Sequence, residues 1–238
     1  MNTHLLSISF AFLFFPIHYA EKNNNAPLKE GPMNVSYINA DYSAVLYDKL
    51  ELSSLGLSKQ AFDCAYTGYK RLLEKKKLSN PSILTICDLS QSSDNKRLYI
   101  LDLCENKVLL TSYVAHGRGS GVKYATHFSN SNRSHQSSLG FYVTGSSYYG
   151  QNGLSLKLTG LEVGFNSLAT KRHIVLHGAG YVSDQYLQTN KFMGRSYGCP
   201  AVPVEECGEI IDLIKNGTCL FIYHPTKRYL KSSKILND

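Results

Sequence analysis

One cysteine and one histidine in this chain stand in surroundings suited to acyl-transfer chemistry. Cys199 lies in Gly194-Arg195-Ser196-Tyr197-Gly198-Cys199-Pro200, just ahead of a helical pattern that begins at Val204. The preceding glycine lets the backbone approach a substrate closely, and the turn can aim amide N–H groups at a developing oxyanion. A thiol becomes a useful nucleophile only as the thiolate, so it needs a base or a positive field nearby. His177 can supply either. It ends the apolar run of Lys171-Arg172-His173-Ile174-Val175-Leu176-His177 and is followed by Gly178-Ala179. The two residues are 199 − 177 = 22 positions apart, enough for a loop to bring them together. Taken alone, each reads as structural: an inert thiol in a turn, a hydrogen-bonded histidine at a strand end. Taken together, they read as a nucleophile and its base.

The paired pattern His-Gly, then roughly twenty residues, then Ser-x-Gly-Cys, resembles the L,D-transpeptidase catalytic domain family, with slightly longer spacing than in its commonest members. It is most similar to the branch with His-Gly-Ala and Gly-Arg-Ser-aromatic-Gly-Cys-Pro-Ala. Phe128-Ser129-Asn130, Ser137-Ser138-Leu139-Gly140, Tyr149-Gly150, Ser155-Leu156-Lys157-Leu158 and Gly160-Leu161-Glu162 resemble the same branch. The resemblance runs from about Ser82 to Tyr223 and more weakly over the preceding helices. It implies a mainly β fold, a closed barrel or sandwich, with a small helical segment before it. It implies Cys199 as nucleophile, His177 as base, and the Gly178 carbonyl as the group that orients the imidazole. The amides of Tyr197, Gly198 and Cys199 would form the oxyanion hole, and Ser196 would support the loop or touch substrate. The implied substrates are peptidoglycan stem peptides, joined through a Cys199 thioester into 3–3 cross-links, with no cofactor and no metal. Two positions depart from the family. Ala201 stands where many members have Arg or Asn, and Tyr197 where several have a second His. Both bear on substrate preference more than on the nucleophile.

Arg195, Ser196, Tyr124, Tyr149 and Asn152 are candidates for contacts with substrate; Tyr142 and Tyr148 are further ones, and His116 beside Gly117 is a weaker one. Packing or solvent exposure accounts equally well for Tyr124, Tyr142, Tyr148, Tyr149 and Asn152. Other chemistries compete. His173 and His177 are four apart, which on a helix would suit zinc, and His116 and His127 could join such a site only by chance of folding. On a strand, which Ile174-Val175-Leu176 favours, they would be roughly 13 Å apart, too far for one ion. A wall-binding protein that has lost catalysis is a second alternative. Hydrolysis of the thioester, giving an L,D-carboxypeptidase or endopeptidase, is a third.

The elements that must position these residues follow from periodicity. Tyr42–Leu52 and Ser58–Leu78 carry helical spacing. In the second, Phe62, Ala65, Tyr66, Tyr69 and Leu72-Leu73 share a face, Ser58 caps the start, and Asn80-Pro81 ends it. Gly68 in its middle is a mismatch. Short apolar runs at Ile83–Leu89, Leu98–Leu103, Lys107–Val114, Leu154–Leu158, His173–Leu176 and Thr218–Tyr223 read as strands, and Val204–Lys215 as a helix. The stretch Gly117–Gly153, rich in Gly, Ser, Asn and Tyr, is too long for plain connection and reads as a functional surface holding short strands. The expected organisation is a signal peptide (1–20), a linker (21–40), a helical segment (41–80), a catalytic domain (81–225) and a tail (226–238).

Composition sets the setting. A 238-residue chain with 43% hydrophobic and 18% charged residues is globular and large enough to bury a core. The apolar run Leu5–Phe15 is too short to span a bilayer and suits a signal-peptide core, although no Lys or Arg precedes it and His18 stands where a small residue is preferred before Ala20. A buried strand or helix is the alternative. The chain is therefore expected to be exported, periplasmic or cell-wall associated, monomeric, and without a membrane span once the leader is removed. The formal charge of +7 favours an anionic partner. Scattered basic residues and the absence of a basic stripe interleaved with aromatics argue against nucleic acid. Six cysteines contain no CxxC pair, so a zinc ribbon or thioredoxin motif is unsupported. Cys87 and Cys104, at the outer ends of adjacent strand candidates, could form a disulfide or remain free thiols.

Overall fold

In the computed structural model, residues 35–238 are described; the signal peptide and most of the linker expected from the sequence lie outside them. Residues 35–40 already belong to the first helix, α1 (Val35–Lys49). The second, α2 (Lys59–Glu74), starts where the pattern demands: the Ser58 hydroxyl accepts from the Ala61 N–H. Its buried face is Ala61, Phe62, Ala65, Tyr69 and Leu72. The mismatch at Gly68 has a packing cause. A Cβ there would run into the ring of Phe141, so only glycine lets the helix lie against that residue.

The strands are β1 (Ile83–Asp88), β2 (Leu98–Asp102), β3 (Lys107–Ser112), β4 (Gly140–Gly150), β5 (Gly153–Gly160), β6 (Val175–Gly178), β7 (Ala201–Val202) and β8 (Cys219–Tyr223). They form one eight-stranded sheet in the order β3-β2-β1-β8-β4-β5-β6-β7. Past β3, Ala115 bridges Ala201 of β7, its N–H donating to the Ala201 carbonyl at 2.7 Å. That contact brings the two ends of the sheet together into a nearly closed, mainly β barrel. The core includes Leu84, Ile86, Ile100, Phe141, Leu156, Leu176, Leu220 and Phe221, and because the neighbours Leu220 and Phe221 of β8 are both buried, apolar packing covers both faces of the sheet there. Phe141 and Phe221 stack at 4.1 Å.

The glycine- and tyrosine-rich stretch expected as a surface with short strands contributes β4, an eleven-residue strand. Its register with β5 shifts between Thr144 and Ser147, and its outer half is exposed, which explains the polar composition. Three short elements lack a clear sequence pattern: α3 (Asp184–Asn190), β7, and the end of the chain. Residues 226–238, expected as a tail, fold as α5 (Lys227–Ser232) and α6 (Lys234–Asn237). The buried Glu162 carboxylate ties them down: it accepts from the Phe141 N–H and the Tyr229 hydroxyl, both at 2.9 Å, and from the Ser233 hydroxyl. Between β7 and β8 runs α4 (Val204–Ile214), with Cys207, Ile210, Ile211 and Ile214 buried. All six cysteines are free thiols, and Cys87 lies in the core, so the Cys87–Cys104 disulfide does not form.

Candidate active site

β6 is short because both of its ends turn. At its start His173 has φ +54°, so this histidine sits in a turn and not on the strand as its sequence suggested. Within β6, Leu176 points into the core, and alternation sends its neighbour His177 to the opposite face. β7 then pairs with β6 in parallel, His177 opposite Ala201 and Gly178 opposite Val202. This pairing closes the 22-residue gap and places the Cys199 loop beside His177. Gly178 is confined from behind, where a Cβ would meet Cys207 Cβ at 3.1 Å and Val204 Cα at 3.2 Å; glycine lets α4 close over the strand end.

The imidazole is oriented by its neighbour. His177 Nδ1 lies 2.9 Å from the Gly178 carbonyl oxygen. A carbonyl only accepts, so Nδ1 carries a proton, and in the neutral imidazole the lone pair is then on Nε2, the tautomer a general base needs.

The Cys199 loop is pinned by one side chain. Ser196 Oγ donates to the Cys199 carbonyl at 2.6 Å and accepts from the Gly198 N–H at 3.0 Å. The Ser196 backbone is itself fixed, its N–H donating to the His116 carbonyl at 3.0 Å and its carbonyl accepting from Arg118 at 2.7 Å. Gly198 has φ +123°, and a Cβ there would meet the Gln136 carbonyl oxygen at 2.9 Å and Arg172 Nη2 at 3.2 Å. Cys199 Sγ accepts from the Val175 N–H at 3.5 Å and faces the His173 carbonyl at 3.6 Å. Burial pushes the thiol up; the Val175 N–H and the Arg172 guanidinium pull it back.

Cys199, His177 and Gly178 line one cavity of about 350 Å³, with Ala179, Tyr181, Asn152, Arg195, Ser196 and Tyr197. A cavity of similar size, about 360 Å³, lies between Phe128, Phe165 and Arg228, with no cysteine on its wall. Chemistry and not volume singles out the first.

Residues 53–223 match the family model for the L,D-transpeptidase catalytic domain. The chain belongs to the L,D-transpeptidase catalytic-domain family. Similar solved structures include an L,D-transpeptidase from Mycobacterium smegmatis, 9% identical with a TM-score of 0.38, covering 60% of this chain and 59% of that one. L,D-transpeptidase 1 of Mycobacterium tuberculosis is 11% identical with a TM-score of 0.33, covering 60% and 62%. That of Xylanimonas cellulosilytica is 16% identical with a TM-score of 0.33, covering 76% and 93%. The chain thus spans about three fifths of the two mycobacterial proteins. No curated protein matches the sequence.

In this L,D-transpeptidase-family domain the residues anticipated from sequence divide. Arg195, Ser196, Tyr197 and Asn152 reach the cavity; Tyr124 and Tyr149, both exposed, are not among its lining residues. Of the three amides expected in an oxyanion hole, that of Gly198 is already engaged by Ser196 Oγ. The Tyr197 and Cys199 N–H groups have no protein partner among the described residues. Arg195 is anchored by Nη1 to the Gly121 carbonyl at 3.1 Å. The Tyr197 ring is exposed, with the Arg118 guanidinium over it at 5.3 Å and His135 against it at 4.7 Å. Tyr142 is core, its hydroxyl donating to the Ser138 carbonyl, and Tyr148 borders a separate cavity with His173. His173 and His177 thus face different cavities and do not converge on one site.

His116 is fully buried, its Nδ1 2.8 Å from Arg97 Nη2. Burial and that guanidinium push its pKa down to about 3, so it is a neutral packing group. Two residues at the site carried no distinctive sequence signal. Tyr181 lines the cavity, its phenol pushed up to about 12 by burial, and so stays a proton donor at neutral pH. Arg172, beside Gly198, is the other.

Proposed function

We propose that the protein is a cysteine acyltransferase acting on peptidoglycan stem peptides, a peptidoglycan L,D-transpeptidase. The observation that supports this best is the pairing of Cys199 with a His177 whose Nδ1 is committed to the Gly178 carbonyl, both on the wall of one cavity. The Cys199 proton passes to His177 Nε2, and the thiolate attacks the carbonyl at the L-centre of the diamino acid that precedes D-Ala. Negative charge on that oxygen is met by the Tyr197 and Cys199 amides, each good donor contributing about 3 kcal/mol. His177 returns its proton to the D-Ala nitrogen as the C–N bond breaks, leaving a thioester. The side-chain amine of a second stem attacks the thioester, gives its proton to His177, and the thiol is restored with a 3–3 cross-link formed. Water in place of the amine would give L,D-carboxypeptidase or endopeptidase activity.

The basic chain suits an anionic wall polymer. An exported, periplasmic or wall-associated location follows from this reading of the substrate. No helix among the described residues is long and apolar enough to cross a membrane. Incubation with a disaccharide-tetrapeptide followed by mass spectrometry tests the reading. A cross-linked dimer or loss of D-Ala, absent in Cys199→Ala, is expected. No thioester and no product with any stem peptide would overturn it.

A further inference from the structure

Arg172 occupies the turn before β6, and its guanidinium closes a ring of neutral oxygens. Nη1 donates to the Ser129 carbonyl at 2.8 Å and to the Ser138 hydroxyl; Nη2 donates to the Gln136 carbonyl at 2.7 Å and the Ser134 hydroxyl at 3.2 Å. The ion pairs among the described residues are Lys59–Asp63, Lys123–Asp94 and Lys215–Asp212, so no carboxylate neutralises it. A half-buried guanidinium without an acid keeps its full field, because arginine does not shed its proton and low-dielectric surroundings screen it weakly. The residues after it wrap the nucleophile: the His173 carbonyl and Val175 N–H both meet Cys199 Sγ.

We propose that Arg172 is a positioning residue for the nucleophile, clamping the 129–138 loop against Gly198 and supplying the positive field that favours the Cys199 thiolate. The inference rests on the reading of Cys199 as nucleophile. Arg172 lies behind the loop and not on the cavity wall, where the ionisable groups besides Cys199 are His177 from β6, Tyr181 from the following turn, and Arg195 and Tyr197 from the nucleophile's own loop. None is a carboxylate. Arg195 is held by Gly121, on the far side of Ser196 in sequence from the sulfur. A Cβ on Gly198, the residue before the sulfur-bearing one, would lie 3.2 Å from Arg172 Nη2, so the guanidinium stands close behind the Cys199 loop and acts on the Cys199 charge through space. One guanidinium thus serves geometry through its four hydrogen bonds and reactivity through its charge.

The test is the pH dependence of Cys199 alkylation by iodoacetamide, followed by peptide mapping so that the other thiols do not interfere. It needs no peptidoglycan substrate, so its failure is distinct from failure of the proposed activity. Arg172→Gln is expected to raise the alkylation midpoint by about one pH unit or more, the effect of removing an opposite charge at close range. Arg172→Lys keeps the charge and is expected to stay within about half a unit of the wild type. Ser134→Ala with Ser138→Ala weakens the clamp without touching the charge; it should lower the melting temperature and leave the midpoint in place. An Arg172→Gln profile that superimposes on the wild type overturns the proposal, as does a serine variant that shifts as far as Arg172→Gln. Should Arg172→Gln not fold, Arg172→Lys decides alone, and a rise of about one unit or more counts against the charge.

Discussion

The Ser196 hydroxyl bridges the backbone on both sides of the Cys199 Cα, donating to the Cys199 carbonyl at 2.6 Å and accepting from the Gly198 amide at 3.0 Å. It therefore takes one of the three loop amides and shapes the turn that presents the other two. Removal of this hydroxyl by Ser196→Ala leaves a buried donor and an acceptor without partners. The expected cost is about 1–3 kcal/mol of stability, together with slower acylation of Cys199. Urea unfolding and single-turnover thioester formation measure the two effects. Unchanged acylation in the variant would show that the turn holds its shape without Ser196.

Gly198 answers a different constraint. Its φ of +123° is reached by few side-chain-bearing residues, and a Cβ would press on the Gln136 carbonyl and the Arg172 guanidinium. Gly198→Ala is expected to cost about 1–3 kcal/mol in backbone strain and to displace the Cys199 loop. A melting temperature and alkylation rate equal to those of the wild type would refute this.

The buried His116 makes the fold sensitive to acid. Its pKa lies near 3 in the folded protein against an ordinary value of 6.5, so the folded form binds fewer protons than the unfolded chain between those limits. Its contribution is fully present above pH 6.5 and is lost as pH falls toward 3, with a slope of about 1.4 kcal/mol per pH unit. His224, also pushed down by burial, adds in the same direction. His116→Gln, whose side-chain oxygen can still accept from Arg97, is expected to reduce the slope by close to one proton. Urea titrations between about pH 7 and pH 4.5 read the difference. Parallel slopes in the two proteins would contradict the assignment of His116 as neutral.

Glu162 joins the C-terminal helices to the barrel. Glu162→Ala would leave the Phe141 N–H and the Tyr229 and Ser233 hydroxyls without their acceptor. The expected loss is at least about 3 kcal/mol, with faster amide exchange in α5 and α6 than in β4. A stability within about 1 kcal/mol of the wild type would mean that the helices hold by apolar packing alone.

Much of the barrel was legible because a buried strand must alternate or run apolar. β1, β2, β5 and β8 fall close to the runs of Ile, Val, Leu and Phe that mark them. β4 was less so, because one half of it faces solvent and carries Gly, Ser and Tyr. α5 and α6 are six and four residues long, too short for a periodic face to register, and Glu162 holds them from more than sixty positions away.

The site divides along the same line. Local sequence determined His177, Gly178 and the Ser196–Cys199 turn, because their chemistry depends on immediate neighbours: a carbonyl one residue on, a hydroxyl two or three residues back. Only the tertiary structure decided the rest. The parallel pairing of β6 with β7 set Cys199 beside His177, and the barrel brought Asn152 and Tyr181 to the cavity while leaving Tyr124 and Tyr149 outside. It also gave Arg172 four neutral partners from a loop some forty residues earlier and buried His116 against Arg97. The physical reason is common to all of them: hydrogen-bond partners, burial and electric field are properties of where a group lies in space, and a residue type alone carries none of them.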